Sequence, residues 1–175
     1  MSTYKKPHHY ADSKSIIPIS DNGQGGFMIF PRGLTIIWGN DSRYWRIPKE
    51  TDPNPEAELI QVSWVEVTGK VPVKAGKKYE ISFDVALKSD AFGWNGSQVL
   101  VMAKIGKGGK YSHKSAALDA PTRTPNQKFQ VPVPKLEISV PENTENPELY
   151  FGLYDVWNWK WKGGLVIYNA VVKEI

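Results

Sequence analysis

Apolar and polar side chains alternate at every second position over most of this chain. In 79–88, Ile81, Phe83, Val85 and Leu87 fall on one side of an extended backbone, and Ser82, Asp84 and Lys88 fall on the other. The stretch 58–67 repeats the pattern, with Ile60, Val62 and Trp64 against Gln61, Ser63 and Val65. Shorter apolar runs at 27–30, 35–38, 99–105, 128–133, 136–140, 149–156 and 165–172 predict further strands. The run 15–19 predicts an edge strand, because Pro18 cannot donate to a central ladder. Turn chemistry separates the runs. Gly, Pro, Asn and Asp cluster at 21–26, 49–55, 89–97 and 106–110. No stretch of helical length shows the 3.6 period of an amphipathic helix. Short strands with turn signals between them predict an all-β antiparallel sandwich. It occupies 15–175 as one domain, behind a flexible polar tail at 1–14.

Composition narrows the chemistry. Cysteine is absent from the 175 residues, which removes disulfides and thiol catalysis. The net charge of +4 is spread along the chain, so a basic stripe for nucleic acid is not compelled. The first ten residues lack the apolar core of a signal peptide, and no run is long enough to span a membrane. A cytoplasmic or nucleocytoplasmic location without membrane insertion is expected, and the Asn-x-Ser sequons at Asn40 and Asn95 read as chance. The histidines, His8, His9 and His113, suggest neither a metal cluster nor a Ser-His-Asp arrangement. No cofactor and no metal are expected. Gly106-Lys107-Gly108-Gly109-Lys110 reads as a hairpin turn, since Tyr111 stands where a phosphate loop needs Ser or Thr. Glu148 and Asp155 are candidate carboxylates of a hydrolase, but sequence does not give their separation.

Recognition chemistry concentrates at the tryptophans. Thr35-Ile36-Ile37-Trp38 climbs as a strand and breaks into Gly39-Asn40-Asp41-Ser42, followed by Arg43-Tyr44-Trp45-Arg46. Two indoles with short polar side chains between them suit a sugar. The apolar face of a pyranose stacks on a ring, and a few placed polar groups orient hydroxyl and acetamido groups. The competing reading places Trp38 and Trp45 in the core at a strand end, and the residues alone leave both open. The second distinctive stretch is Trp157-Asn158-Trp159-Lys160-Trp161. If extended, its indoles share one face, with one or two of them in the core and at least one on a loop platform. Trp94 lies in a further aromatic loop at 89–97.

Taken together, these residues resemble the phloem protein 2 family, the Nictaba-type plant lectins, with the cucurbit phloem lectins as the nearest subset. The resemblance is carried by Gly26-Phe27-Met28-Ile29-Phe30-Pro31-Arg32, Ile36-Ile37-Trp38-Gly39-Asn40-Asp41 and Arg43-Tyr44-Trp45-Arg46. It continues through Ala57-Glu58-Leu59-Ile60-Gln61-Val62-Ser63-Trp64-Val65-Glu66-Val67-Thr68-Gly69-Lys70, Lys88-Ser89-Asp90-Ala91-Phe92-Gly93-Trp94 and Trp161-Lys162-Gly163-Gly164-Leu165-Val166-Ile167. It implies a non-catalytic lectin of jelly-roll type, often dimeric, found in nucleus and cytoplasm or in phloem sap. Its ligands would be N-acetylglucosamine oligomers and the N-glycans of glycoproteins. Two family tryptophans tied to sugar binding match Trp38 and Trp45, and family carboxylates fall on or near Glu148 and Asp155, with Asp where Glu is common. The expected site is therefore Trp38 and Trp45 as stacking faces, with Asn40, Ser42 and Tyr44 as hydrogen-bonding groups. Asp155 and Trp161 approach from the C-terminal strands, and Glu148, Trp94 and Trp159 are further candidates. A homodimer joined through the edge strand at 15–19 is expected. A basic sap protein that carries RNA on aromatic and cationic side chains is the alternative class.

Overall fold

Alternation drives the chain into two antiparallel sheets, seen in a computed structural model that describes residues 6–119 and 123–175. In chain order the strands are β1 (Ile16–Asp21), β2 (Gln24–Ile29), β3 (Thr35–Ile36), β4 (Trp45–Arg46), β5 (Ala57–Leu59) and β6 (Val65–Pro72). They continue with β7 (Lys78–Phe92), β8 (Gln98–Ile105), β9 (Ser112–Ala117), β10 (Phe129–Ser139), β11 (Glu148–Asp155) and β12 (Gly163–Glu174). Single 3-10 turns sit at Ser13–Ser15 and Pro31–Gly33, and no α-helix occurs among the described residues. The expected β-sandwich is what the chain forms.

Strand β12 is the spine of the larger sheet. On one side it pairs with β7, which carries β10 outside it. On the other side β2 and β5 share its length, with β1 beyond β2 and β4 beyond β5. The smaller sheet runs β3-β6-β11-β8-β9. Inward side chains of the two sheets interdigitate, as the packing of two half-apolar faces requires. Phe83 of β7 meets Phe151 of β11 at 6.0 Å between ring centroids. Ile81, Phe83 and Val85 are fully buried as their alternation predicts. Ser82, on the other face, is buried too, because β7 lies between β12 and β10.

Several boundaries differ from the pattern, each for a physical reason. The run 58–67 is not one strand. Its start is β5 in the larger sheet and its end is β6 in the smaller one. Between them the Ile60 and Gln61 N–H groups both donate to the Tyr44 carbonyl, and Val62 exchanges hydrogen bonds with Lys162. The chain thus crosses from one sheet to the other, and the inward phase slips by one between Val62 and Val65. The run 35–38 stops at Ile36, where a turn begins. The runs 128–133 and 136–140 join as β10, and their register shifts between Val131 and Leu136. Pro132 and Pro134 are tolerated there because, among the described residues, β10 pairs only with β7. Strand β9, polar and small, carries no apolar alternation and was not legible, although the turn at 106–110 forms the expected hairpin. Strand β1 is an edge strand as predicted.

The N-terminal segment corrects the expectation of a flexible tail. Residues 1–5 lie outside the described residues. From Lys6 onward the chain is laid against the body. His9 and Ile36 exchange backbone hydrogen bonds of 3.0 and 2.8 Å, and Asp12 N–H donates to the Arg32 carbonyl at 2.7 Å. The His9 side chain is buried and donates from Nε2 to the Arg32 carbonyl at 3.0 Å. Burial disfavours the imidazolium and holds the His9 pKa below its ordinary 6.5. The unfolded chain therefore takes up this proton first as pH falls. The contribution of neutral His9 is fully present above pH 6.5 and is lost as pH drops below it. A thermal melt at about pH 7.5 and at about pH 5.5 should show a smaller loss of Tm on acidification for His9→Gln than for the wild type. Equal losses would show that His9 does not carry the effect.

Candidate functional site

Three connections meet at one end of the sandwich: the β3–β4 loop, the crossover before β6 and the β11–β12 loop. The first presents Trp38, whose φ of 64° is left-handed. A bulky side chain in that region carries strain of about 1–3 kcal/mol, held only where surroundings over-determine it. Here they do. Trp38 N–H donates to His8 Nδ1 at 2.9 Å, and Asp41 N–H donates to the Trp38 carbonyl at 3.1 Å. The Asn40 side-chain amide donates to the carbonyls of Lys6 and His8 at 3.1 and 2.9 Å, so the N-terminal segment pins this loop from beneath.

Four rings then follow one another. His8 meets Trp38 edge-on at 5.4 Å, Trp38 meets Tyr44 edge-on at 5.7 Å, and Tyr44 lies tilted to Trp161 at 6.4 Å. The Arg43 guanidinium lies 5.0 Å over the Tyr44 ring while donating to the Asp41 carboxylate from Nη2 at 2.7 Å. Trp64 closes the other side. It tilts against Trp159 at 5.9 Å and donates from Nε1 to Glu66 at 3.3 Å. Between Trp38, Tyr44, Trp64 and Trp161 opens a shallow groove of about 140 Å³, floored by Val62 and Ser63. It is smaller than the roughly 300–1,000 Å³ of enclosed small-molecule pockets. It is a platform that takes one face of a ligand.

Buried polar chemistry holds the β11–β12 loop that carries Trp159 and Trp161. Lys162 Nζ and Asp155 Oδ2 pair at 3.2 Å with side-chain exposures of 0% and 2%. Lys162 also donates to Asn158 Oδ1 at 3.3 Å, and Asn158 Nδ2 donates to Ser97 Oγ at 3.0 Å. Lys160 donates to the Asn95 carbonyl at 2.7 Å. Beneath the loop, Trp94 is buried and donates from Nε1 to the Gly163 carbonyl at 3.0 Å. Gly93 combines a φ of 84° with close approach of the Trp161–Lys162 backbone, which leaves no room for a Cβ.

The fold brings Trp38, Tyr44 and Trp161 together, with Trp159 beside them. It does not bring the other candidates. Trp45 is 2% exposed and belongs to the core: it opens β4 with its side chain inward, while Arg46 after it faces out and Tyr44 before it is half-buried beside the groove. Trp94 is a core residue that supports the loop. Asp155 is buried and spent on Lys162. Glu148 starts β11 and Asp155 ends it, which separates them by roughly 23 Å at about 3.3 Å per residue, on opposite strand faces. Asn40 turns toward the N-terminal segment, and Ser42 is exposed outside the groove lining. The tryptophans at 157, 159 and 161 are not extended, and none is core: they are 58%, 73% and 54% exposed. Trp64, Ser63 and His8 were missed. Trp64 read as the inward residue of an unbroken strand, and only the crossover exposes it. A larger cleft of about 390 Å³ lies on the outer face of the smaller sheet, with no indole in its lining. Among the described residues no helix is long and apolar enough to cross a membrane, and no group of three His, Cys, Asp or Glu could hold a metal.

The fold is a two-sheet antiparallel β-sandwich that carries an aromatic groove on its loop end. The chain belongs to the phloem protein 2 family, whose profile, described as Phloem protein 2, matches residues 24–173. It is 39% identical to "Protein PHLOEM PROTEIN 2-LIKE A9" of Arabidopsis thaliana, over 100% of both chains. It is 30% identical to a "Lectin" of Luffa acutangula, over 84% of this chain and 69% of that one. The solved structure described as "CBM4 structure and function" superposes with a TM-score of 0.46 at 9% identity, over 96% of this chain and 94% of that chain.

Burial separates two of the candidate tryptophans, Trp45 and Trp161, by measurement. Trp45→Ala should cost about 3–5 kcal/mol of folding stability in a urea melt, whereas Trp161→Ala should stay within about 0.5 kcal/mol. Similar costs for both would contradict their different burial. Asp155→Ala strands a buried ammonium and should cost about 3–5 kcal/mol, and the double change with Lys162→Met should recover much of it. A double variant no more stable than the single would show that the charge pair is not the cause.

Proposed function

We propose that the groove binds N-acetylglucosamine oligomers and the cores of N-glycans, as a lectin without catalysis. The observation that carries this reading is the run of rings, exposed Trp38 and Trp161 with half-buried Tyr44 between them, beside Ser63. Pyranose rings present apolar C–H faces, and tilted indoles offer surfaces for them. The amide of an acetamido group suits the hydroxyl of Ser63. The strain at Trp38 supports a role in binding, since a bulky left-handed residue on the surface is not there for packing. The relatives described as lectins support the same reading. The distance between Glu148 and Asp155 and the neutralisation of Asp155 by Lys162 argue against glycoside hydrolysis by that pair.

Calorimetric titration with chitotriose tests it. Trp38→Ala and Trp161→Ala should each weaken binding by about thirtyfold, the roughly 2 kcal/mol that an aromatic anchor contributes. Trp38→Gly should also lose binding, yet raise the folding stability by about 1 kcal/mol because glycine adopts the positive φ freely. Affinity should hardly change with salt, whereas RNA carried on this surface would lose affinity steeply as ionic strength rises. Unchanged chitotriose binding in both Ala variants would overturn the assignment.

A further inference from the structure

The larger cleft lies on the opposite side of Trp64 from the groove, on the outer face of the smaller sheet. Its floor is set by register. The outward residues of β11 are Tyr150, Gly152 and Tyr154. They stand beside Lys70, Thr68 and Glu66 of β6, and beside Lys104, Met102 and Leu100 of β8. Gly152 opens the middle of the floor. A Cβ there would come within 2.7 Å of the Tyr154 ring, so that ring lies over the glycine. Tyr111, just after the β8–β9 turn, folds back and lines the cleft together with Tyr154. Burial raises the Tyr154 phenol pKa, with the negative potential of Tyr111 and Glu66 adding to it. Tyr154 thus remains a neutral hydroxyl group. Thr35 and Thr68 add two more hydroxyls to the wall.

Charge is divided along this cleft. Lys70, Lys104 and Lys107 lie at one end, and Glu66 lies at the other, where Trp64 already donates to it. Lys104 is the built element. Its ammonium sits 4.6 Å over the Tyr111 ring and 5.7 Å over the Tyr150 ring, and it donates to the Lys107 carbonyl at 2.7 Å. That leaves donors unused. Among the described residues, the ion pairs engage neither Lys104 nor Lys70 nor Lys107. A half-buried cation between two rings, without a carboxylate of its own, is arranged to receive one.

We infer that this cleft is a second binding site, for an acidic sugar, with a uronate carboxylate on Lys104 and its pyranose ring against Tyr150 and Tyr154. The volume of about 390 Å³ falls in the roughly 300–1,000 Å³ range of small-ligand clefts. Hydroxyl groups along the wall suit the hydroxyls of a sugar, and the tyrosine faces suit its C–H face. A phosphate ligand would be better served by a guanidinium fork, and the lining contains no arginine. A neutral sugar would leave the lysine end unmatched. The site is independent of the indole groove, so either can fail without the other.

Titration of the whole chain with trigalacturonate, and with the neutral galactose trimer of the same linkage, tests this. Trigalacturonate should bind, and the neutral trimer should bind at least about tenfold more weakly, since a carboxylate–ammonium contact is charge-assisted. Lys104→Met should weaken trigalacturonate by about tenfold or more while chitotriose binding stays unchanged, and Trp161→Ala should leave trigalacturonate binding unchanged. Should Lys104→Met not fold, Lys70→Met gives the same readout with a smaller loss. Absence of binding at millimolar trigalacturonate, equal binding of the neutral trimer, or undiminished binding by folded Lys104→Met would each overturn the inference. Displacement of trigalacturonate by inorganic phosphate, or by polyuridylate with steep salt dependence, would also overturn it in favour of a phosphate-binding surface.

Discussion

A charge pair with almost no access to water, Lys162 with Asp155, joins the two sheets beneath the aromatic groove. Asp155 closes β11 in the smaller sheet and Lys162 stands just before β12 in the larger one. Removing both ions from water costs several kcal/mol each, and their attraction offsets this only with good geometry and further hydrogen bonds. Asn158 accepts from Lys162 at 3.3 Å and donates to Asp155 Oδ1 at 3.5 Å, while Asp155 Oδ2 has Lys162 as its ion-pair partner and no hydrogen bond, and Asn158 passes the constraint to Ser97 and to the loop backbone. An apolar pair could close the sandwich at least as stably. It could not hold the intervening loop by directed contacts, and that loop places Trp159 and Trp161.

The tryptophans divide according to what surrounds them. Trp45 and Trp94 fill the core beneath the loops. Trp38, Trp157, Trp159 and Trp161 stand in solvent, and Trp38 does so on a strained backbone. Apolar surface left exposed in one place marks an interaction site more often than a folding need. The N-terminal segment belongs to the same arrangement. His9 is anchored in the body, and one residue earlier His8 accepts from the Trp38 N–H. Change at residues 6–12 therefore reaches the groove without touching it.

The sheet faces meet in a second way at Trp64 and Glu66, neighbours but one on the chain. Trp64 looks into the indole groove, and Glu66 into the lysine-bearing cleft, with the Trp64–Glu66 hydrogen bond between. Two surfaces of different chemistry, one aromatic and nearly neutral, the other cationic with hydroxyls, thus share a wall.

Period two in 79–88 and turn residues at 106–110 were enough to read an antiparallel sandwich, because burying one face of a strand leaves its mark on every second residue. Pro18 likewise marked an edge. The same local signal misled where the chain changes sheet. In 58–67 the alternation looks continuous, yet the backbone crosses at Tyr44 and Lys162 and turns Trp64 outward. Spacing showed that Trp38 and Trp45 lie near a turn, but not that the turn after β3 would leave Trp38 exposed while β4 turned Trp45 into the core. The residue types alone determined that aromatic recognition chemistry was available. Which rings face solvent, and that Asp155 is consumed by Lys162 rather than offered to a ligand, was decided only when distant segments packed, since burial and charge pairing are properties of neighbours in space.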